Sequence, residues 1–300
     1  MRRLKNERGV VLVLAAVGMT AFLGLLGLVI DVGQIFMEQV KLSRAVDAAV
    51  LAGVQELPLQ PNLALARAYE YGWANDLQSD ELQVEIGNEN HLIGAQARRQ
   101  VSLSFLSLLG FKHRTVAARA VAVIGPVIGC SGVIPVGVPW SDFEFGKTYE
   151  LKSDAHSGQK YQGNFGVLAL GGTGANTYLN NLKYGYQGML RVGDRVYTEP
   201  GNMAGPTRQG IEYRLSQAPD VPGQPWYENT ARIAVVPVID SLDVNGRSLV
   251  TIVGFAAFYL EDVEAQGNRA VIRGRFVEHL IDGEIGSGVN YGLLAYRLVQ

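Results

Sequence analysis

Between Glu7 and Asp31 the chain runs for twenty-one residues, Val10 to Ile30, without a charge. Wound as an α-helix at about 1.5 Å per residue, such a run reaches about 30 Å, the thickness of the hydrocarbon layer of a bilayer. A buried helix of a soluble protein would carry a polar face over this length, and here only Thr20 breaks the apolar surface. The run is therefore expected to lie in lipid. Arg2, Arg3, Lys5 and Arg8 precede it, and no basic residue lies between Asp31 and Lys41. By the positive-inside rule the N-terminus is expected in the cytoplasm and the remainder on the far side. A cleaved signal peptide has a shorter apolar core, about 7–15 residues, ending at small residues. This one ends in the bulky Leu28-Val29-Ile30. The only cysteine, Cys130, is far from the run, so a lipoprotein-type anchor is not expected either. The segment is expected to stay attached.

The formal charge of −2 offers no electrostatic footprint for nucleic acid, so nucleic-acid binding is not expected. A single cysteine cannot close an intramolecular disulfide, and the exported part must stand on buried apolar surface alone. Aliphatic runs such as Ala231 to Ile239 and Val250 to Leu260 supply it. Glycine is frequent beyond Gly125, as in a turn-rich β architecture.

Past the membrane run nothing stops the helix before Pro58. Ile35, Leu42, Val46, Ala49, Val50 and Gly53 share one side of a 3.6-residue wheel, opposite Gln34, Glu38, Lys41 and Arg44. Glu38 with Lys41 and Arg44 with Asp47 are spaced as i, i+3 pairs. Residues 1–57 thus read as one rod, half in lipid and half outside. Asn62 to Leu77 reads as a second helix carrying Leu63, Ala66, Tyr69 and Trp73. The period then becomes alternating, with strands over Leu82 to Ile86, Val101 to Phe105 and Arg114 to Ile124, and a tight apolar connection at Leu108-Leu109-Gly110-Phe111. Gly125-Pro126 marks a boundary. Beyond it strands are expected at 133–138, 165–170, 195–198, 233–239, 250–260 and 270–277, with short helices at Asn176 to Tyr184 and Thr207 to Ser216. The strands 233–239 and 250–260 are apolar on both faces and should be central, joined near the hairpin signal Asn245-Gly246. The expected fold class is α+β: a transmembrane helix continuing into an amphipathic helix (1–57), a helix with a small antiparallel sheet (58–125), and a mainly β domain (126–300).

The stretch from Glu7 to Gly53 resembles the TadG-like N-terminal domain of Tad/Flp pilus-assembly proteins. Arg8-Gly9 stands where that family places a basic residue and Gly before the apolar helix. Gly27 to Gly33 matches its G-L-x-x-D-x-G exit, and Ala45 to Gly53 its A-x-D-A-A-x-L-A-G ending. Asn62 to Ile124 is similar to the region after the helix in pseudopilin-like Tad proteins. The resemblance implies a cell-envelope protein with other pilus-assembly or pseudopilin proteins as partners. Two departures limit it. Leu14 stands where peptidase-processed pilins carry Glu, counting from Gly9, so processing there is not implied. The D-x-S-x-S metal motif of the von Willebrand type A module found in longer relatives is missing.

Local chemistry is sparse. Ala16, Thr20 and Gly24, with Gly27 near them, form a small-xxx-small ladder that would let another transmembrane helix approach, although such residues are common in membrane helices. Asp31 at the outer end is a possible partner contact, or simply a solvated carboxylate. Gly171-Gly172-Thr173-Gly174 before a helix invites a phosphate but lacks the P-loop ending, so a turn is the better reading. Gly129-Cys130-Ser131-Gly132 is not a nucleophile elbow. His91, His113, His156 and His279 show no metal-ligand spacing. Asp240, Asp243 and Asn245-Gly246, with Glu261, Asp262 and Glu264 past the next strand, are fragments of a calcium loop without its full pattern. Trp140 and Trp226 could belong to a recognition surface or to half-buried sheet positions. The loop Thr198 to Pro206 carries no recognisable chemistry.

The expectation is a single-pass extracytoplasmic component of a Tad/Flp-type pilus or related secretion apparatus, acting by helix packing and protein binding, with no cofactor, no metal and no catalysis. Its rivals are an anchored extracytoplasmic enzyme, which requires acids and nucleophiles to converge in one cleft, and a secreted binding protein whose mature chain starts after Ile30.

Overall fold

The computed structural model describes residues 7–141, 143–152, 166–219, 225, 229–244, 246–266 and 269–299. The fold is α+β, and the chain separates into two compact units, 1–123 with 298–300 and 124–297.

In the first unit the expected rod is one continuous helix, α1, Glu7–Val54. Its outer half buries the predicted stripe: Leu42, Val46, Ala49 and Val50 are fully enclosed, each side chain larger than Ala contributing roughly 1.5–3 kcal/mol. The second helix, α2, spans Pro61–Ala74, with Pro at the start of its first turn. Its buried face is Ala64, Ala68 and Gly72 rather than the larger residues expected there, and Trp73 is 52% exposed. The reason is the approach distance. A Cβ placed on Gly53 of α1 would stand 2.9 Å from the carbonyl oxygen of Ala64 and 2.5 Å from Ile93 Cδ1, so small residues on both helices set how closely they pack.

Strand β1, Leu82–Gly87, pairs antiparallel with β2, Leu92–Ser102, in register Leu82 with Ala97. Strand β3, His113–Cys130, pairs antiparallel with β2 from Leu92–Val123 to Ser102–His113. β2 starts earlier than its expected strand and ends before Phe105, because Phe105 caps a 3-10 turn, Leu106–Leu109. Gly110 follows with φ 96°, a left-handed exit. α1 meets this sheet through an ion-pair centre. Arg99 Nε donates to Glu81 Oε1 (2.7 Å), its Nη2 to Glu81 Oε2 (2.8 Å), and its Nη1 to Glu38 Oε2 (3.1 Å). The Arg99 bonds hold Glu81 below the usual carboxylate range, Lys41 first and then Arg99 do the same for Glu38, and the carboxylates, Glu81 foremost, raise the guanidinium further. Of the two expected helical pairs, Lys41 with Glu38 forms at 2.8 Å; Arg44 and Asp47 do not pair.

In the second unit the short strands β4, Val138–Pro139, and β5, Thr148–Leu151, are followed by β6, Leu168–Ala169. Helix α3 is Ala175–Tyr184; β7, Leu190–Arg191, and β8, Arg195–Thr198, lead to helix α4, Ala204–Gln217. The long strands are β9, Ile233–Ile239, β10, Leu249–Gln266, and β11, Arg269–Val277. β12, His279–Leu280, β13, Glu284–Ile285, and β14, Leu293–Val299, close the chain. The principal sheet runs β4-β9-β10-β11-β5, so the two strands read as apolar on both faces lie inside it. One face of β10, with Ala256, Phe258 and Leu260, packs against Tyr178 and Leu182 of α3 and Ile211 of α4. The other, with Phe255, Ala257 and Tyr259, packs against Leu168, Val196, Leu293 and Ala295. The strand expected over 133–138 survives only as bridges at Val133 and Val136 ahead of β4.

Candidate membrane anchor and the loop held against it

The residues from Val10 to Ile30 turn their side chains outward: Leu12 is 74% exposed, Val17 63% and Phe22 58%. A helix of this length and composition can cross a bilayer, and a surface of this kind has no stable place in water. Thr20 satisfies its hydroxyl within the helix, donating from Oγ1 to the carbonyl of Ala16 at 2.8 Å. Ala16, Thr20 and Gly24 of the small-residue ladder remain exposed. Gly27 does not: a Cβ there would stand 2.5 Å from Phe105 Cγ, so this glycine is the seat of a ring from the chain's own β2–β3 connection. Arg8 lies in the first turn of the helix, whereas Arg2, Arg3 and Lys5 lie outside the described residues.

One turn above Gly27 is Asp31, which is fully buried. Its carboxylate accepts three main-chain N–H groups, from Ser104 to Oδ1 (3.0 Å) and from Phe105 (2.9 Å) and Leu106 (2.6 Å) to Oδ2. These are the donors that the start of a helical turn leaves unpaired, and an anion at that end is the favoured partner. Asp31, read from sequence as a possible partner contact or a solvated carboxylate, here bonds to a loop of its own chain. Between the loop and α1 lies a groove of about 740 Å³ lined by Leu23, Gly24, Leu26, Leu106 and Leu109 among others. Phe105, read from sequence as the end of a strand, and Leu106 escaped the sequence reading as site residues; Leu108 belonged to the apolar connection Leu108 to Phe111, whose signal is apolar bulk in a hairpin connection, where polar residues are usual.

The other candidate sites resolve into structural roles. Gly174 N–H meets Glu199 Oε1 at 3.3 Å, so a carboxylate stands where a phosphate was considered. Cys130 is buried, and burial pushes its thiol up to about 12, away from nucleophilic use. His91 contacts the carbonyl of Glu89, His113 lies 3.4 Å from Ser102 Oγ, and burial lowers His279; His156 is outside the described residues. No group that could hold a metal occurs among the described residues. Asp240 accepts N–H bonds from Ser241 and Thr251 in a turn, and Asn245 is outside the described residues. Glu261 and Glu264 lie within β10 rather than after it, paired with Arg275 and Arg273 of β11. Trp140 is exposed, and Trp226 is outside the described residues.

One buried polar cluster had no sequence signal. Lys152 Nζ donates to the carbonyl of Asn202 and to Thr207 Oγ1 (2.7 Å), and Tyr178 OH lies 3.0 Å from the same Oγ1. Burial lowers Lys152 to about 7 and raises Tyr178. The cluster ties the 198–206 loop to α3 and α4.

The first unit thus presents one helix long and apolar enough to cross a membrane, its outer half packed on α2 and a small antiparallel sheet. Residues 9–56 match the family model described as putative Flp pilus-assembly TadE/G-like. No curated protein and no solved structure matches the chain.

Proposed function

We propose that the protein is a single-pass, N-in component of a Tad/Flp-type pilus or a related secretion apparatus, with residues 58–125 and 126–300 outside the cytoplasmic membrane. It acts by position and binding rather than catalysis. The observation that carries this reading is the uncovered apolar surface of Val10 to Ile30, lying within the segment that matches the pilus-assembly family. The exposed ladder Ala16, Thr20 and Gly24 is the face offered to a neighbouring transmembrane helix, and the exported body is the face offered to pilus subunits or sister proteins.

The test is alkaline carbonate extraction of membranes, followed by purification in mild detergent and mass-spectrometric identification of co-purifying chains. Retention in the membrane pellet together with co-purified pilus-assembly subunits is expected. Release of the intact chain into the supernatant would overturn the anchor, and a retained chain without such subunits would overturn the assembly role.

A further inference from the structure

We infer that the β2–β3 connection, Ser104 to Phe111, is a second membrane element, a loop that dips into the outer-leaflet side of the bilayer beside α1. The inference rests on the anchored reading of α1 and adds to it a lipid contact made by a part of the chain more than seventy residues away in sequence.

Three independent features of the first unit point to lipid as the occupant. The first is depth. Phe105 sits on Gly27, about 6 Å along the helix axis below Asp31, and Leu106 and Leu109 share a groove with Leu23, about 12 Å below it. The loop therefore lies alongside the apolar run, continuous with a surface that needs hydrocarbon around it. The second is composition. Leu108 is 84% exposed, Leu109 74% and Phe111 64%, three large apolar side chains on one tight turn. Directly behind them stand exposed Lys112, His113 and Arg114, a basic collar suited to lipid phosphates at the interface.

The third is the backbone. A loop in water leaves its N–H groups to solvent, but non-helical backbone at membrane depth must find partners within the protein. Here Leu103 N–H bonds to the carbonyl of Lys112. Ser104, Phe105 and Leu106 donate to Asp31. Leu108, Gly110 and Phe111 donate to the carbonyls of Phe105, Ser107 and Leu106, and Ser107 Oγ returns to the carbonyl of Ser104 at 2.6 Å. With the Asp31 carboxylate accepting three amides and the turn accepting most of the others, few main-chain donors of this loop are left for water. That suits a turn that has to shed water before entering lipid.

The test places an environment-sensitive NBD fluorophore on one introduced cysteine at a time, Leu23→Cys, Leu108→Cys or Leu59→Cys, in the full chain with Cys130 retained. The wild-type chain serves as the blank, since Cys130 is buried. Each protein is reconstituted into phosphatidylcholine–phosphatidylglycerol vesicles with and without phosphatidylcholine bearing a nitroxide on its acyl chain. Quenching at both Leu23 and Leu108, with about a twofold or greater loss of fluorescence and none at Leu59, supports the dipping loop. Quenching at Leu23 but not Leu108 overturns the loop and leaves the anchor standing. Absence of quenching at Leu23 overturns the anchor and the loop together.

Discussion

At the scale of single residues, the groups that matter are those whose partners are distant in sequence. Lys152 is the clearest in the second unit. Its amine is held at about 7 by burial, against an ordinary value of 10.5, so between those values the unfolded chain carries a proton that the folded chain lacks. Stability of the second unit is therefore expected to rise with pH across this window, by at most roughly 1.4 kcal/mol per pH unit from this group. Cys130, raised by burial from 9.0, acts in the opposite direction once its unfolded thiol ionises, so the slope is best read from about pH 7 to 8.5. Denaturant unfolding of wild type and Lys152→Met should show the slope in the first and not in the second; equal slopes would mean Lys152 is protonated in the fold. Neither Lys152 nor the true partners of Asp31 could be read locally. A carboxylate at the end of an apolar helix looks solvated until a turn 73 to 75 positions later supplies its donors.

At the scale of elements, legibility followed periodicity. α1 declared itself by an apolar run and a 3.6-residue stripe, and β8, β9 and β11 by alternation or by double-sided apolarity bounded by turns. Elements built from small residues were harder. The first half of β2, Leu92-Ile93-Gly94-Ala95-Gln96-Ala97, has too little contrast between its faces for a period to emerge, and β14 opens on Leu293-Leu294-Ala295, which does not alternate although the turn-rich 283–292 precedes it. The same scarcity of bulk explains α2, whose packing face is alanine and glycine. The Ala45 to Gly53 motif is in physical terms a contact strip, and it makes a prediction. Gly53→Val should lower first-unit stability by about 1–3 kcal/mol, because the new side chain meets the Ala64 carbonyl, which cannot move without shifting α2. Gly53→Ala should lower it less: its Cβ meets the same Ala64 carbonyl at 2.9 Å but brings no further methyl groups, and Ile93 Cδ1 is the far end of a flexible side chain. Thermal unfolding of the full chain in detergent, followed by far-UV circular dichroism, reads both; a Val variant as stable as wild type would show that the helices can separate at no cost.

At the scale of the whole molecule, one asymmetry of charge has to orient everything. The four basic residues ahead of Val10 face no counterweight until Lys41, and Asp31, the first charge past the run, is acidic and contributes little to such a bias. Orientation should then depend on the leader alone. Replacing Arg2, Arg3, Lys5 and Arg8 with glutamine removes that charge while keeping polar side chains ahead of the apolar run. With alkaline phosphatase, an enzyme that becomes active only after export, fused behind Gln300, the wild-type chain is expected to give high activity and the glutamine variant to lose most of it at equal expression. Retained activity in the variant would mean that the polypeptide is delivered across by something other than its leader charge. A cytosolic reporter in the wild type would place the exported units, and with them the basic collar behind the apolar loop, on the opposite side of the membrane from the one assigned to them.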